Sequence, residues 1–398
     1  MPSSPRSAHP PPQIVTDTGL LTAICTRLRQ EPFVTVDTEF VRERTYWPEL
    51  CLVQLGGERE TAVIDALAPD IDLTPLQHLL ADASVMKVFH AARQDVEIFV
   101  ERFGETPVPM FDTQVAAMVA GFGEQVGYDN LILGLTGRTV DKVHRFSDWT
   151  VRPLSSAQIA YAAADVTHLR DAYRLLRDRL DKEGRLSWVG EEMAGLHDAN
   201  TYRVDPDSAW ERLRPRSNNR RLLGQVRALA AWREREAQRV NIPRQRLLRD
   251  EALMEIAATA PASADELTRV RGISKGFAEG KVGQALLQVV EETAAMPDTE
   301  LPAAPTHNRD QPRPSAALVA LLKVILAAKC EEHHVAAKLV ATSDDIDRLA
   351  IEENPGIPAL HGWRREVFGN AALALKRGEV AVGVDGRRVK LIPVEADR

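Results

Sequence analysis

The stretch Phe33-Val34-Thr35-Val36-Asp37-Thr38-Glu39-Phe40 decides the fold, because it places two acidic residues within a run typical of a buried strand. β-Branched and aromatic residues dominate the run and favour a β-strand. Side chains alternate along a strand, so Asp37 and Glu39 are predicted on one face, and Val36 and Phe40 on the core face. Two neighbouring carboxylates repel each other unless a cation lies between them, and carboxylate oxygens suit Mg²⁺ or Mn²⁺. An acidic strand face without a metal is the alternative reading of this stretch alone.

The composition is that of a multi-domain globular protein. The chain has 398 residues, 44% of them hydrophobic and 27% charged, so two to four domains are expected. No apolar run is long enough to cross a bilayer, which predicts no membrane association. Residues 1–13 are rich in Pro and Ser and are expected to be a disordered tail. Three widely spaced cysteines form neither a disulfide framework nor a zinc pattern, which predicts a reducing cytoplasmic location.

Charge is unevenly distributed along the chain. The net charge of −7 argues weakly against a nucleic-acid partner. The segment from Arg203 to Arg249, however, holds thirteen arginines and only five acidic residues. An acidic chain with one basic segment is compatible with a catalytic domain joined to a polyanion-binding module. The alternative is that these arginines only lie on solvated helix faces.

The pattern of strands and helices changes near residue 196. Before it, strands are predicted at 33–40, 51–55, 61–65, 85–89 and 109–113, and helices at 14–30, 73–80, 93–103 and 155–183. The first three strands have short connections and predict an antiparallel meander within a mixed sheet covered by helices. After it, helices are predicted at 222–240, 250–259, 264–270, 275–293, 318–330, 335–341, 343–350 and 367–377, with a proline-rich linker at 296–314.

Further candidate site residues lie far from the first strand. Asp95 lies near the start of the helix that follows the fourth strand, and Tyr161 and Asp165 are four residues apart on one helix face. Each has an ordinary explanation, since an Asp near a helix N-terminus favours the helix dipole and a Tyr and Asp at this spacing are commonly mere neighbours. Together with Asp37 and Glu39, these three residues form an order along the chain that is far more specific than any one of them alone.

Three local motifs give this order a family resemblance. They are Val36-Asp37-Thr38-Glu39-Phe40, His90-Ala91-Ala92-Arg93-Gln94-Asp95 and Tyr161-Ala162-Ala163-Ala164-Asp165-Val166. They resemble the DEDD superfamily of 3′-to-5′ exonucleases, in the subgroup whose third motif carries Tyr. Phe40 to Tyr46, Phe111-Asp112-Thr113, Asp148-Trp149 and Arg152-Pro153-Leu154 are similar to the ribonuclease D family. Residues 222–290 resemble an HRDC domain, and the last unit, with Ser343-Asp344-Asp345-Ile346 and Gly362-Trp363-Arg364-Arg365, is similar to a second HRDC-type domain.

This resemblance implies a fold and a domain order. The fold class is an α/β exonuclease domain, with a ribonuclease H-like mixed sheet covered by helices, followed by two small all-α HRDC-type domains. The expected boundaries are a tail at 1–13, the exonuclease at 14–200, an HRDC domain at 214–295, a linker at 296–314 and a second HRDC-type domain at 315–386.

The resemblance also implies a mechanism. Asp37, Glu39 and Asp165 would hold one divalent cation, Asp37 would bridge to a second cation held by Asp95, and Tyr161 would orient the attacking water. Two Mg²⁺ or Mn²⁺ ions would assist stepwise hydrolysis of RNA from its 3′ end to 5′-mononucleotides. The expected substrates are tRNA precursors or other structured RNA 3′ ends, and the protein is expected to be a monomer. A DNA 3′-to-5′ exonuclease and a non-catalytic RNA-binding protein are the alternatives.

Additional substrate contacts are predicted near the acids and in the basic segment. They are Thr38, Phe40, Gln54, His90, Lys142, Arg220, Arg221, Arg227 and Arg233. Strand parity favours a core position for Phe40, and a packing role is favoured for His90. The arginines are predicted to follow a phosphate backbone, with Trp232 either stacking on a base or lying in the domain core.

Overall fold

The computed structural model describes residues 12–215, 217–303 and 313–394. Residues 1–11 of the predicted tail therefore lie outside the described residues. Gln13, which was assigned to that tail, instead begins a strand. The helix predicted from residue 14 begins only at Thr18, because Ile14 and Val15 pair with Val63 and Ile64 at the edge of the sheet.

One mixed sheet is the centre of residues 12–215. Its strands are β1 (Gln13–Val15), β2 (Phe33–Val41), β3 (Glu49–Gly56), β4 (Thr61–Asp65), β5 (Met86–Phe89) and β6 (Met110–Asp112), in the order β1-β4-β3-β2-β5-β6. β2, β3 and β4 form the predicted antiparallel meander. β1 is parallel to β4, and β5 and β6 extend the other side of β2 in parallel. β2 is thus an interior strand with a partner on each side.

Helices cover both faces of this sheet. They are α1 (Thr18–Leu28), α2 (Thr74–Leu80), α3 (Arg93–Phe103), α4 (Thr113–Val119), α5 (Tyr128–Thr136), α6 (Ser156–Lys182) and α7 (Leu186–Ala194). One core joins the sheet to α1, α2 and α3, and a second core joins it to α4, α5, α6 and α7. The predicted mixed sheet covered by helices is confirmed.

Helix α6 begins where the sequence predicts. Ser155 is the N-cap, and its hydroxyl accepts a hydrogen bond from the Gln158 backbone N–H at 3.2 Å. The Gln158 side chain accepts in return from the Ser155 N–H at 3.0 Å. This capping box satisfies two backbone donors that a helix start leaves unpaired. It fixes the end of the helix nearest the candidate site residues.

The middle helical unit comprises residues 206–303. It contains the 3₁₀ segment Pro206–Leu213, α8 (Arg220–Val240), α9 (Arg244–Leu247), α10 (Asp250–Thr259), α11 (Ala264–Leu267), α12 (Lys275–Glu279) and α13 (Lys281–Ala295). All of these elements except α9 contribute residues to one apolar core. The single helix predicted at 275–293 is divided at Gly280, whose extended backbone (ψ 174°) ends α12 and begins α13.

The C-terminal unit comprises residues 313–394. Its helices are α14 (Ala316–His333), α15 (Ala337–Val340), α16 (Ser343–Ile351), α17 (Gly362–Arg364) and α18 (Asn370–Lys376), with a π turn at Arg365–Gly369. A hairpin, β7 (Val380–Asp385) and β8 (Arg388–Pro393), follows and packs Val382 and Leu391 against the helical core. The sequence predicts a purely helical unit ending at 386, a position that falls in the turn of this hairpin.

The middle unit is held against the α/β domain next to β2. The Asn241 side chain accepts hydrogen bonds from the backbone N–H groups of Tyr46 and Trp47 at 3.1 and 3.0 Å. The Tyr46 hydroxyl donates to Glu234, which is 1% exposed and also pairs with Arg244 at 3.0 Å. A buried, doubly paired carboxylate therefore lies at this junction.

The C-terminal unit is held against a different part of the α/β domain. Trp363 stacks on Trp188 of α7, with ring centroids 4.6 Å apart and planes inclined by 8°. Glu192, also on α7, accepts from the Trp363 indole at 3.2 Å and pairs with Arg364 at 2.5 Å. Both helical units thus contact the α/β domain directly.

Two chain-wide features complete the fold. Cys25, Cys51 and Cys330 are buried and free. None of the helices in the described ranges combines the length and the apolar character needed to cross a bilayer.

Candidate active site

Strand β2 presents its two acids on the face covered by α6. Asp37 lies opposite Gln54, and Glu39 lies opposite Leu52, in the antiparallel pairing with β3. Directly opposed residues point to the same side of a sheet, so all four side chains face α6. Both acids are half-buried. The predicted alternation along β2 is confirmed from Val34 to Glu39.

Close packing of α6 on the sheet brings the third acid to the first two. The Thr35 hydroxyl donates to the Val166 carbonyl at 2.8 Å and lies 3.1 Å from the Gly56 carbonyl. A Cβ atom at Gly56 would lie 2.3 Å from the Thr35 hydroxyl and 3.1 Å from the Val166 carbonyl. Only glycine therefore allows this approach, and the approach places Asp165 beside Asp37.

Three carboxylates converge as a result. One oxygen from each of Asp37, Glu39 and Asp165 lies within 4.8 Å of the others. Hard divalent cations bind oxygen ligands, and carboxylates at such spacing can share one cation. This acidic cluster is compatible with divalent metal binding.

Asp95 reaches the same region from the start of α3. Its carboxylate accepts a hydrogen bond from the Thr38 hydroxyl at 2.5 Å. The preceding turn is held by Asp112, whose carboxylate accepts from the backbone N–H groups of Ala91 and Ala92, both at 2.9 Å. Asp112 also caps α4 by accepting from the Gln114 N–H at 2.8 Å. The Phe111-Asp112-Thr113 motif thus positions the turn that presents Asp95.

The four acids perturb one another strongly. Burial and then repulsion from Asp37 raise the pKa of Glu39 to about 10. Burial raises the pKa of Asp165 to about 7. Burial, reinforced by Asp165, raises the pKa of Asp37 well above its ordinary value, and burial, reinforced by Asp37, does the same to the pKa of Asp95. Without a cation these carboxyl groups retain protons near neutral pH, so the donor set favours a bound positive charge.

Tyr161 lies one helical turn before Asp165 and lines the same cavity. Burial and the neighbouring acids raise the pKa of its phenol. Trp149 lies beside its ring, at 6.1 Å between centroids with the planes inclined by 29°. Arg152 holds this loop to the sheet, because its guanidinium pairs with both oxygens of Asp65 (2.6 and 2.7 Å) and donates to the Trp149 carbonyl at 2.6 Å. The Asp148–Leu154 motif therefore positions the aromatic side chain next to Tyr161.

A cavity of about 260 Å³ connects these residues. It is lined by Asp37, Thr38, Glu39, His90, Gly127, Tyr128, Asp129, Val140, Asp141, Lys142, Arg145, Tyr161, Asp165 and Leu169. Sequence reasoning missed Tyr128, whose hydroxyl donates to the Asp165 backbone carbonyl. It also missed Arg145 on the facing loop. Neither lies in a periodic or acidic pattern, so no sequence signal distinguished them.

Three predicted substrate contacts line the cavity but already have protein partners. Thr38 donates to Asp95, as described above. Lys142 pairs with Asp129 at 2.6 Å, and both side chains remain partly exposed. The Nδ1 of His90 lies 3.0 Å from the Thr113 hydroxyl, and its ring contacts the edge of Tyr128. Burial lowers the pKa of His90, so the neutral ring is favoured. This arrangement agrees with the packing role favoured for His90.

Two other predicted positions require correction. The register of β2 against β3 shifts between Glu39 and Phe40, and Phe40 is only half-buried and outside the apolar clusters of the described residues. A bulge interrupts the strict alternation of side chains along a strand. The core position predicted for Phe40 rested on that alternation and is wrong. Gln54 is completely buried beneath α6, where neither amide atom has a hydrogen-bond partner among the described residues. It has no exposed surface with which to contact a substrate.

The arginines of α8 that were predicted as RNA contacts have hydrogen-bond partners within the middle unit. Arg220, Arg221 and Arg227 donate to backbone carbonyls at and after the end of α13, including those of Leu301, Met296 and Glu300. A carbonyl orients a guanidinium group without cancelling its charge, so RNA contact by Arg220, Arg221 and Arg227 stays a prediction.

Arg233 belongs to the core of the same unit. It is 3% exposed, pairs with Asp250 at 2.7 Å and donates to the Leu248 carbonyl at 2.8 Å. Trp232 packs partly buried against the apolar core. Arg233 therefore stabilises the middle unit and has almost no exposed surface with which to contact RNA, which corrects its predicted role.

Comparison with known proteins agrees with this geometry. Residues 12–182 match the 3′-5′ exonuclease family model, and residues 223–290 match the HRDC domain. The chain is 64% identical to ribonuclease D of Granulibacter bethesdensis over 97% of its length and 98% of that protein. It is also 64% identical to ribonuclease D of Gluconacetobacter diazotrophicus, over 98% of each chain.

A solved structure resembles the whole chain. The crystal structure of Escherichia coli RNase D, described as an exoribonuclease involved in structured RNA processing, aligns with a TM-score of 0.78. The alignment has 30% sequence identity and covers 92% of this chain and 99% of the E. coli chain.

Proposed function

Because this chain belongs to the ribonuclease D family and is a 3′-to-5′ exoribonuclease, we propose that its acidic cluster hydrolyses the terminal phosphodiester of RNA with two divalent cations and releases 5′-mononucleotides. The observation that carries this proposal is the approach of the Asp37, Glu39 and Asp165 carboxylates to within 4.8 Å of one another. Bound Mg²⁺ or Mn²⁺ would lower the pKa of the attacking water and neutralise charge on the leaving oxygen.

Each acid has a distinct part in the proposal. Asp37, Glu39 and Asp165 would hold the first cation. Asp95, at the start of α3, would hold the second together with Asp37. Thr38 orients the Asp95 carboxylate through its 2.5 Å hydrogen bond. The raised pKa values of these groups support the proposal, because like charges held this closely need a cation to remain ionised.

Tyr161 is proposed to orient the attacking water. Its phenol lines the cavity beside the acids, and its raised pKa keeps it protonated and able to donate a hydrogen bond. Trp149 lies beside the ring and packs against it. A phenol fixed in this way contributes to the alignment of nucleophile and phosphate, which is a large part of the catalysis of phosphoryl transfer.

The test is degradation of a 5′-labelled single-stranded RNA by wild-type protein and by Asp37→Asn, with Mg²⁺, Mn²⁺ or EDTA. We expect wild-type ladders that shorten from the 3′ end, mononucleotide products and no cleavage in EDTA. Asp37→Asn should lose more than about 100-fold in rate. Asp171→Asn is the matched control, since Asp171 lies on α6 but pairs with Arg138 at 2.7 Å.

A second readout counts the cations directly. Titration with Mn²⁺, followed by its paramagnetic resonance signal, should give two sites in the wild type and fewer in Asp37→Asn. Wild-type rates in Asp37→Asn, or a single Mn²⁺ site in the wild type, would refute the two-cation arrangement.

The RNA substrate class follows from the family and from the HRDC domain, and tRNA precursors are the finer proposal. It is tested by comparing a tRNA carrying a short 3′ extension with an unstructured RNA and a DNA of the same 3′ sequence. Faster trimming of the extended tRNA supports the proposal. Equal rates on RNA and DNA would favour the alternative of a DNA exonuclease.

Three expectations about the whole chain also remain proposals. We propose the boundaries 14–200, 214–295 and 315–386 for the exonuclease, HRDC and second HRDC-type domains, with the hairpin added to the last. Separate apolar cores in the middle and C-terminal units support this division. We further propose a monomer in the cytoplasm, where three buried free thiols would stay reduced.

A further inference from the structure

A cleft rich in arginine lies between the α/β domain and the middle helical unit. Its volume is about 440 Å³. The charged side chains that line it are Arg42, Arg93, Glu97, Arg203, Arg212 and Arg244. They come from the end of β2, α3, the connecting segment, the 3₁₀ segment Pro206–Leu213 and α9. The cleft thus exists only because the two units are docked together.

Most of the positive charge in this cleft is not neutralised. Arg42 pairs with Glu97 at 2.6 Å, and Arg244 pairs with the buried Glu234 at 3.0 Å. Among the ion pairs of residues 12–215, 217–303 and 313–394, none includes Arg93, Arg203 or Arg212. These three side chains are exposed.

The other contacts of these exposed arginines leave their charge available. Arg203 donates to the Gly104 carbonyl at 3.0 Å, and the Arg93 guanidinium lies 6.0 Å from the centre of the Tyr202 ring. A carbonyl or a ring orients a guanidinium without cancelling its charge. A walled cleft with several unpaired arginines attracts a flexible polyanion.

The cleft begins next to the catalytic elements. Arg42 follows Glu39 by three residues, a separation of about 10 Å along an extended chain. Arg93 is two residues before Asp95 at the start of α3 and three residues after His90, which lines the active-site cavity. A strand whose 3′ nucleotide occupies that cavity can therefore reach the cleft within a few nucleotides.

We propose that this cleft binds the phosphate backbone of the RNA strand a few nucleotides upstream of the bond that is cut. The inference rests on the proposed function, because it takes the position of the RNA 3′ end from the acidic cluster. Its arginines differ from those predicted on α8 from the sequence. It also gives the docked middle unit a function, since that unit supplies Arg212 and Arg244 to the cleft.

The size of the effect follows from counterion release. Each phosphate contact to a single strand contributes about 0.7 to the slope of log affinity against log salt. Removing two contacts should lower this slope by about 1.4 and weaken binding about 25-fold at about 0.1 M salt. The double variant Arg93→Gln/Arg212→Gln tests this, because neither residue has an ion-pair partner that would be left buried.

The first measurement is the affinity for a fluorescent twelve-nucleotide RNA in EDTA, by anisotropy over a range of salt concentrations. Arg348→Gln/Arg377→Gln is the control, because it removes the same charge from exposed ion pairs of the C-terminal unit. Weaker binding with a lower salt slope in the cleft variant, but not in the control, supports the proposal. Equal affinities and slopes in both variants overturn it.

The second measurement identifies what the arginines contact. An RNA with neutral methylphosphonate linkages upstream of its last three nucleotides should bind the wild type as weakly as unmodified RNA binds the cleft variant. The two changes combined should cause little further loss, because both remove the same contacts. Fully additive losses would mean that the arginines bind another part of the RNA, or another anion, and would overturn the proposal.

The third measurement separates this proposal from the proposed function. With Mg²⁺ or Mn²⁺, the ratio of kcat/KM for the twelve-nucleotide RNA to that for a trinucleotide should fall in the cleft variant and not in the control. If the wild type degrades neither RNA, the proposed function fails, whatever the cleft binds. If the wild type degrades both and the ratio is unchanged in the variant, only the cleft proposal fails. If circular dichroism shows that the double variant folds poorly, the same three measurements are made on the single variant Arg212→Gln.

Discussion

The substitution Asp165→Asn should stabilise the cation-free protein while abolishing catalysis. Asparagine keeps the shape of the side chain but removes its charge. In the native protein Asp165 faces two other acids within 4.8 Å, so its amide replacement can donate hydrogen bonds where a carboxylate is repelled. The change therefore removes an electrostatic cost together with a metal ligand.

The sign and size of this effect follow from proton linkage. Burial raises the pKa of Asp165 from 3.8 to about 7, so the folded protein retains a proton that the unfolded chain releases. Stability contributed by the protonated group is complete below about pH 4 and is lost progressively as the pH rises through 7. At 1.36 kcal/mol per pKa unit, the full cost above pH 7 is about 4 kcal/mol. The substitution should recover a large part of it.

The assay is urea unfolding followed by tryptophan fluorescence in EDTA, at about pH 4, 6 and 8. The free energy of unfolding of Asp165→Asn should exceed that of the wild type most at the highest pH. Addition of Mn²⁺ should stabilise the wild type by mass action and the variant much less. Asp171→Asn on the same helix should cost less than about 1 kcal/mol, because it loses only an exposed ion pair. A wild-type stability that does not fall between pH 4 and 8, or a destabilised Asp165→Asn at pH 8, would refute the reasoning.

Three further substitutions separate catalysis from stability. Tyr161→Phe should lower kcat by about 100-fold with little change in KM, since it removes one hydroxyl and keeps the ring; a changed KM with normal kcat would contradict the assigned role. Thr38→Val should lower kcat/KM about 10-fold in steady-state assays by freeing the Asp95 carboxylate, and an unchanged value would mean that this hydrogen bond does not position the acid. Arg233→Met should lower the free energy of unfolding by about 2 kcal/mol and leave RNA affinity intact. Weaker RNA binding by a well-folded variant would mean that Arg233 contacts RNA after all.

The sequence was informative about the acids because their position depends on simple periodicity. Alternation along a strand put Asp37 and Glu39 on one face, and helical spacing put Tyr161 and Asp165 on another. That these faces meet is a property of tertiary packing at Thr35 and Gly56. Only the family resemblance anticipated it.

The predictions that proved wrong also depended on tertiary structure. Phe40 follows a register shift, which parity cannot detect. Arg233 contributes positive charge to any count, but the count does not reveal that its guanidinium group is buried and paired with Asp250. The hairpin did leave a signal, since Asp385-Gly386 stands between two alternating segments and Gly386 has φ +62°.

The separate docking of the two helical units has a consequence for the segment that joins them. The middle unit is held through Asn241 and Glu234, and the C-terminal unit through Trp363 and Glu192, on different parts of the α/β domain. The connection between residues 303 and 313 therefore need not set the orientation of either unit. Its thermodynamic contribution is to keep the C-terminal unit at a high effective concentration near α7. If the chain were cut there, the C-terminal unit would bind the α/β domain as a separate molecule. The fraction bound at Trp188 would then fall on dilution.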